Sequence, residues 1–315
     1  MKALYFDGNL KYLEDYQKPV KNAGEVLIKV SLAAVCNTDK EILRGYKNFK
    51  GVLGHEFIGV VEEADSSSLI GKRVVGNINI GCGECEFCRS GMKNHCNNIK
   101  VLGIWNKDGS FAEYMTLPEE NIFIVPDSVP DIQAVFTEPL AAAFEITEFN
   151  HIRPTDKVAV VGNGKLGRMI SIVLNLTGCD LTIFGRRKEG LKEFRELGNV
   201  ALTSEFKEKR FFDVVVDCTG NDGGLLFAQQ IVKPRGKIIL KSTYNDKVSL
   251  NPTNWVVDEF ALIGSRCGPM DAALRAIEKK NVNLDFLIGN IYALKDYEKA
   301  FNEKGNTKAI FDLSK

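Results

Sequence analysis

The sequence lacks the features that would tie a protein to a membrane or to nucleic acid. No apolar run approaches the length of a membrane-spanning helix, and residues 1–7 lack the apolar core of a signal peptide. The 41 basic residues are balanced by 41 acidic ones, so no net charge draws the chain to DNA, RNA or an anionic lipid surface. We therefore expect a soluble, cytoplasmic protein, and its 315 residues are enough for two domains.

Histidine is scarce, with three residues, and the eight cysteines are distributed unevenly. Disulfide frameworks are typical of small secreted domains, and this chain shows no sign of export. Four of the cysteines instead fall within fifteen residues, while the other four are isolated. This clustering indicates metal binding rather than disulfide bonds.

Hydrophobic patterning divides the chain into a β-rich part and an α/β part. Up to about residue 125 the texture is that of short strands and turns, and residues 132–149 have apolar residues at helical spacing. From residue 157 strand and helix patterns alternate. Such alternation predicts a doubly wound parallel sheet in an α/β domain over residues 132–265. The predicted strands lie at 25–30, 57–61, 72–75, 157–161, 181–184, 213–217, 237–240, 261–263 and 309–311, and the predicted helices at 165–177, 188–197, 270–279 and 294–303.

A glycine-rich motif connects the first α/β strand to the helix that follows it. Gly162 permits a tight turn, Gly164 lets the backbone approach a pyrophosphate, and Gly167 lets helix and strand pack closely. Unpaired N–H groups at the helix start would hold the phosphates. A plain glycine turn is the alternative, but the flanking strand and helix favour dinucleotide binding. The predicted contact residues are Gly162, Asn163, Gly164, Lys165, Leu166 and Gly167.

The end of the second α/β strand selects the dinucleotide. An NAD-binding chain usually has an acidic residue about 20 positions after the glycine motif, but here Gly185 is followed by Arg186 and Arg187. Glycine leaves room for the 2′-phosphate of NADP, and two guanidinium groups can grip it bidentately. A solvated basic helix start is the alternative, although cations there oppose the helix dipole. The sequence predicts NADP over NAD.

The clustered cysteines, Cys82, Cys85, Cys88 and Cys96, have the spacing of a closed tetrahedral zinc site. A ferredoxin-type iron–sulfur motif has a shorter last gap and a proline after the final cysteine, whereas Asn97 follows Cys96 here. Four loop thiols without a partner would be prone to oxidation. We expect a structural zinc ion.

Three dispersed motifs are not diagnostic individually: Cys36-Asn37-Thr38-Asp39, Gly54-His55-Glu56 and Thr137-Glu138-Pro139. A single cysteine is more often part of a core, and a single His-Glu pair more often lies on the surface. Together with the glycine motif and the cysteine cluster, however, they resemble the zinc-containing medium-chain dehydrogenase/reductase family, which includes alcohol, polyol and glucose dehydrogenases.

The resemblance implies a GroES-like β-rich catalytic domain, residues 1–131 completed by 266–315, and a Rossmann domain over 132–265. It implies a catalytic zinc ion held by Cys36, His55 and Glu138, with Glu56 either behind these ligands or as an exchangeable ligand. Thr38 would relay the substrate hydroxyl proton, and Asp39 would orient His55. The family's habit of pairing subunits implies a homodimer or homotetramer.

These residues predict an oxidoreductase with two zinc ions per chain, one catalytic and one structural. It would transfer a hydride between NADP(H) and a secondary alcohol, polyol or sugar, or the matching carbonyl compound. The partner is then a small-molecule substrate, with no nucleic acid and no membrane. The alternatives are a zinc-independent NADPH-dependent alkene or imine reductase, and a non-catalytic sensor of NADPH or zinc.

Overall fold

The structure is a computed structural model that describes residues 1–244 and 247–315. None of the helices in these ranges combines the length and the apolar character needed to cross a bilayer. The strands are β1 (Ala3–Phe6), β2 (Leu10–Leu13), β3 (Glu25–Ala34), β4 (Gly51–Val52), β5 (Glu56–Glu63), β6 (Arg73–Gly76), β7 (Asn79–Ile80), β8 (Lys100–Val101), β9 (Tyr114–Pro118), β10 (Ile122–Ile124), β11 (Lys157–Val161), β12 (Asp180–Gly185), β13 (Asn199–Leu202), β14 (Phe212–Asp217), β15 (Val232–Leu240), β16 (Ala261–Gly264), β17 (Ile288–Ala293) and β18 (Lys308–Asp312). The α-helices are α1 (Asn37–Leu43), α2 (Glu86–Arg89), α3 (Asp131–Ala134), α4 (Thr137–Phe149), α5 (Lys165–Asn175), α6 (Asp222–Ile231), α7 (Pro252–Asp258), α8 (Met270–Glu278) and α9 (Tyr297–Phe301).

The chain forms two compact units, one of Met1–Glu138 with Met270–Lys315 and one of Pro139–Pro269. These divisions fall a few residues after the predicted boundaries at 131 and 265. The short helix α3 explains the first shift, because it packs on β3, β5 and α8 and therefore belongs to the β-rich unit.

The β-rich unit is built around β3, which pairs antiparallel with β5, β9 and β18. Val26, Ile28 and Val30 alternate along β3 and are buried in the core of this unit. The registers place Ala34 opposite Glu56 of β5 and Ile310 of β18. The ends of three strands therefore meet beside the turn that follows β3.

The second unit contains a six-stranded parallel sheet in the order β13-β12-β11-β14-β15-β16. This is the order of a doubly wound dinucleotide-binding fold, so the predicted fold class is confirmed. The residues Val158–Val161 of the central strand β11 are buried, as the continuous apolar run predicted. The glycine motif lies between the carboxyl end of β11 and the start of α5.

Two local predictions in this unit were incomplete or wrong. Residues 188–197 do not form an α-helix; a 3-10 helix covers Glu189–Phe194. Glycine at position 190 disfavours an α-helix, and the carbonyl of Gly190 accepts a hydrogen bond from the Asn163 side chain. The strand predicted at 261–263 is present as β16, but helix α7, which precedes it, was not predicted.

Candidate functional site

The end of β3 and the start of β5 bring three predicted ligands together. Cys36 comes just before α1, while His55 and Glu56 stand at the start of β5. The Cys36 sulfur, a His55 ring nitrogen and a Glu56 carboxylate oxygen all lie within 4.8 Å of one another. His55 and Glu56 are buried, so this donor group is shielded from bulk water.

The side chain of His55 is oriented by Asp39. One carboxylate oxygen of Asp39 lies 3.3 Å from Nδ1 of His55, and the other accepts a hydrogen bond from the Cys36 backbone N–H at 2.8 Å. Burial alone would lower the pKa of His55, but the Asp39 carboxylate outweighs it and raises that pKa well above its ordinary value. This carboxylate–imidazole pair is the usual arrangement behind a metal-binding histidine.

The turn that presents His55 requires glycine at position 54. Gly54 has a φ of +94°, and a Cβ there would lie 2.4 Å from the ring of Phe111. The loop between β8 and β9 covers this turn, since the Ser110 N–H donates to the Gly54 carbonyl at 2.9 Å. The backbone before His55 is thus fixed by tight packing.

Sequence reasoning missed Lys308, the first residue of β18. Its ammonium group donates to both carboxylate oxygens of Glu56, in a pair that is almost fully buried. Burial alone would lower the pKa of Lys308, but the carboxylates of Glu56 and Glu138 and the sulfur of Cys36 raise it. A lysine opening a buried apolar strand was the available signal, because such a charge needs a partner.

The structure does not bring the carboxylate of Glu138 into the 4.8 Å donor group. Glu138 lies in the first turn of α4, and its charge acts on Lys308, so it lies near the same cluster. The hydroxyl of Thr38 is 3.8 Å from the Cys36 sulfur. Both residues therefore lie close to the donor group.

The chemistry of this cluster fits a zinc ion. Thiolate, imidazole and carboxylate are the donors that zinc prefers. Lys308 compensates the charge of Glu56, and Asp39 holds the ring of His55. Neighbouring side chains therefore fix the positions of the donor atoms, as they do around a zinc ion.

The second donor group lies in the lobe between β7 and β8. The sulfur atoms of Cys82, Cys85, Cys88 and Cys96 lie within 4.8 Å of one another, and none of these four cysteines is in a disulfide bond. Those of Cys85 and Cys96 are 3.8 Å apart, the spacing expected around a tetrahedral zinc ion with Zn–S bonds of about 2.3 Å. Backbone N–H groups of Cys88 and Asn97 lower the pKa of Cys85 to about 6, which favours the ligating thiolate. The lobe therefore fits a structural zinc ion.

The glycine motif of the second unit has the geometry of a phosphate-binding turn. A Cβ at Gly167 would lie 2.1 Å from the Gly162 carbonyl oxygen, so only glycine allows this approach of α5. No described atom lies within 4 Å of a Cβ built on Gly164, which keeps its backbone open to a ligand. The helix begins at Lys165, and the N–H groups at the start of a helix can hold an anion.

Asn163 has a role that the motif did not indicate. Its amide donates to the Gly190 carbonyl at 2.8 Å, and a Cβ at the buried Gly185 would lie 3.0 Å from that amide. The glycine motif is thereby joined to the segment after β12. That segment exposes Arg186 and Arg187, and in the described part of the chain no carboxylate pairs with either guanidinium group.

Comparisons with known proteins agree with this geometry. The family model "Alcohol dehydrogenase GroES-like domain" matches residues 22–127. The starvation-sensing protein RspB of Escherichia coli (strain K12) is 30% identical over 267 residues, which cover 79% of this chain and 78% of RspB. Sorbitol dehydrogenase of Halalkalibacterium halodurans is 27% identical, covering 95% of this chain and 93% of that protein.

Solved structures extend the similarity over the whole chain. The structure of RspB from E. coli CFT073, an alcohol dehydrogenase in complex with NADH, matches with a TM-score of 0.91 and 25% identity, covering 99% of both chains. A protein from Sinorhizobium meliloti 1021, described as a zinc-binding dehydrogenase and bound to NADP, matches with a TM-score of 0.90 and 25% identity, covering 99% of this chain and 98% of that one.

Proposed function

This chain belongs to the zinc-containing medium-chain dehydrogenase/reductase family, and on that premise we propose that it is a zinc-dependent, NADP(H)-linked dehydrogenase of a secondary alcohol, polyol or sugar. That the chain is an oxidoreductase of the dehydrogenase class follows from its relatives. The observation that supports the finer proposal is the meeting of the Cys36, His55 and Glu56 donor atoms within 4.8 Å. A reductase or sensor without a catalytic metal has no need of this donor group, in which His55 and Glu56 are buried.

Cys36, His55 and Glu138 would hold the catalytic zinc, with Glu56 as an exchangeable ligand. When bound, the ion polarises the substrate oxygen and lowers the pKa of a hydroxyl, while NADP+ accepts the hydride. Asp39 keeps the ring of His55 in place, and Lys308 holds Glu56. The hydroxyl of Thr38, 3.8 Å from the Cys36 sulfur, would relay the substrate hydroxyl proton by accepting it and passing its own proton on to solvent.

In the second unit, the N–H groups of the glycine turn would bind the pyrophosphate of the cofactor. Arg186 and Arg187 would bind its 2′-phosphate, because both are exposed and lie next to the buried Gly185. One similar protein was solved with NADP and another with NADH, so the relatives do not decide between the cofactors. The arginine pair supports NADP in this chain.

We also propose that the protein is a homodimer formed through β16. This strand is at the edge of the parallel sheet and, among the described residues, pairs with β15 alone. Leu262 on the strand and Val256 and Val257 on α7 are 37%, 78% and 67% exposed. An open edge with apolar neighbours is suited to pairing with its own copy across a twofold axis.

The experiment is a turnover screen with secondary alcohols, polyols, sugars and the matching ketones, using NADP(H) and NAD(H) and parallel metal analysis. We expect turnover that is lost in the Cys36→Ser variant and retained in Cys179→Ser, a matched change at a cysteine outside both donor groups. Turnover that survives removal of zinc would instead indicate an alkene or imine reductase. Tight NADPH binding without turnover on any substrate would indicate a sensor.

A further inference from the structure

The ammonium group of Lys47, in the β-rich unit, lies over two aromatic rings. The ammonium nitrogen of Lys47 is 5.8 Å from the ring centroid of Tyr46 and 5.8 Å from that of Trp105. Throughout residues 1–244 and 247–315, no carboxylate lies within ion-pair distance of this ammonium group. Aromatic rings attract a cation through their faces without occupying its N–H donors. Lys47 is thus positioned while its three donors stay available to a ligand.

Tyr46 and Trp105 lie on two segments that contact the backbone near Cys36 and His55. Tyr46 and Lys47 belong to a 3-10 helix, Tyr46–Asn48, that contacts α1, the helix starting after Cys36. Trp105 comes two residues after Gly103, where a Cβ would lie 2.2 Å from the carbonyl oxygen of Gly54, the residue before His55. The two segments therefore extend from the backbone that carries Cys36 and His55.

The backbone at Lys47 is strained. Lys47 has a φ of 62°, and Asn48 (φ 49°) and Asn106 (φ 52°) are also left-handed. This conformation is uncommon for lysine, whereas asparagine adopts it more readily. Strained residues of this kind cluster at ligand-binding sites, where surrounding contacts hold them in place. Trp105 is also 38% exposed, which leaves part of its ring available to a ligand.

We infer that Lys47, positioned by Tyr46 and Trp105, binds an anionic group on the substrate, so that the substrate class is a polyol bearing a phosphate or a carboxylate. The exposed ring surface of Trp105 would pack on the C–H face of the polyol chain. This inference depends on the proposed function, since the hydroxyl to be oxidised would be bound at the Cys36–His55 cluster. Phosphate and carboxylate share the oxygen acceptors that an ammonium group recognises.

The first test compares kcat/KM for arabitol, arabitol phosphate and a six-carbon aldonate in wild type, Lys47→Met, Lys47→Arg and Lys50→Met. Lys50 is a matched control because it lies three residues away, is exposed and has no ring contact or described ion pair. We expect Lys47→Met to lower kcat/KM for the preferred anionic substrate about tenfold or more, because a bond to a charged group contributes about 1.5–3 kcal/mol. Lys47→Arg should retain most of the kcat/KM for the anionic substrate. The kcat/KM of Lys47→Met for arabitol should change less than about twofold.

The phosphate and aldonate arms distinguish the two anionic groups. Equal losses in Lys47→Met and Lys50→Met would overturn the inference in favour of a general electrostatic effect. Preference for arabitol, with no effect of Lys47→Met, would overturn it while leaving the proposed function intact. Absence of turnover on every compound in the wild type would instead count against the proposed function.

The second test needs no turnover. The chain has two tryptophans, so Trp255→Phe leaves Trp105 as the single indole reporter. Titration of this zinc-loaded variant with arabitol phosphate or the aldonate should change its fluorescence at saturation, and Lys47→Met in the same background should weaken the Kd about tenfold or more. A Kd unchanged by Lys47→Met, or no fluorescence change with either anion, would contradict binding at Lys47.

Discussion

Lys308 and Glu56, which are 252 residues apart in the sequence, form a buried ion pair in which one ammonium group contacts both carboxylate oxygens. The pair joins β18 to β5 beside Cys36 and His55. It lets Glu56 stay charged in the core next to the donor group, and this makes Lys308 a positioning residue for the site.

Replacing Lys308 should therefore destabilise the protein. Lys308→Met leaves the Glu56 charge buried without its partner, and loss of one member of a buried pair typically costs about 3–5 kcal/mol. Urea unfolding of the zinc-free protein measures the change. Lys299→Met, which removes an ion pair with Asp296 whose lysine is 73% exposed, is the control and should change stability by less than about 1 kcal/mol. Equal changes in the free energy of unfolding for the two variants would show that the buried Lys308–Glu56 pair contributes no more to stability than an exposed ion pair.

Sequence patterns could predict the functional groups whose residues lie close together in the sequence. The four cysteines and the glycine motif each lie within a short segment, so spacing alone indicates their chemistry. The Lys308–Glu56 pair depends instead on the register of β18 and β5 against β3, which no local pattern specifies. The bond from Asn163 to Gly190 was missed for the same reason. The expected α-helix at 188–197 was wrong, because Gly190 disfavours an α-helix and the segment forms a 3-10 helix.

The arginine pair gives a test of cofactor selection. Replacing Arg186 and Arg187 by serine should weaken NADPH binding by at least about tenfold and change NADH binding less than about twofold. The variant loses charge-assisted hydrogen bonds to the 2′-phosphate, which only NADPH carries. Quenching of cofactor fluorescence gives both Kd values. Lys188→Ser is a suitable control, since Lys188 already has a carboxylate partner, Glu205, at 3.5 Å. Parallel losses for the two cofactors would rule out the 2′-phosphate assignment.

The cysteine lobe should depend on its metal ion for order. Cys85→Ser removes one of four thiolates, and a short lobe with the small strands β7 and β8 has little apolar core of its own. We expect loss of one zinc ion and faster hydrogen exchange across residues 82–101, with residues 157–161 of β11 unchanged. Unaltered exchange in the lobe of this variant would refute a structural role for the metal.

The proposed dimer can be tested at Leu262. A charged side chain on the paired edge strand would be buried against its own copy, so Leu262→Lys should convert a dimer into a monomer. Ile291→Lys, at a residue that is 48% exposed on β17 of the other unit, should leave the dimer intact. Analytical ultracentrifugation reports both masses, and circular dichroism checks that each variant is folded. A monomeric wild type, or dissociation by Ile291→Lys alone, would contradict pairing through β16.

The zinc content per chain tests the central claim most directly. We expect two zinc ions in the wild type, one in Cys36→Ser and one in Cys82→Ser, with NADP-linked turnover lost in Cys36→Ser. A wild type that holds a single zinc ion, or a Cys36→Ser variant that keeps both ions and its activity, would contradict a catalytic metal at Cys36 and His55.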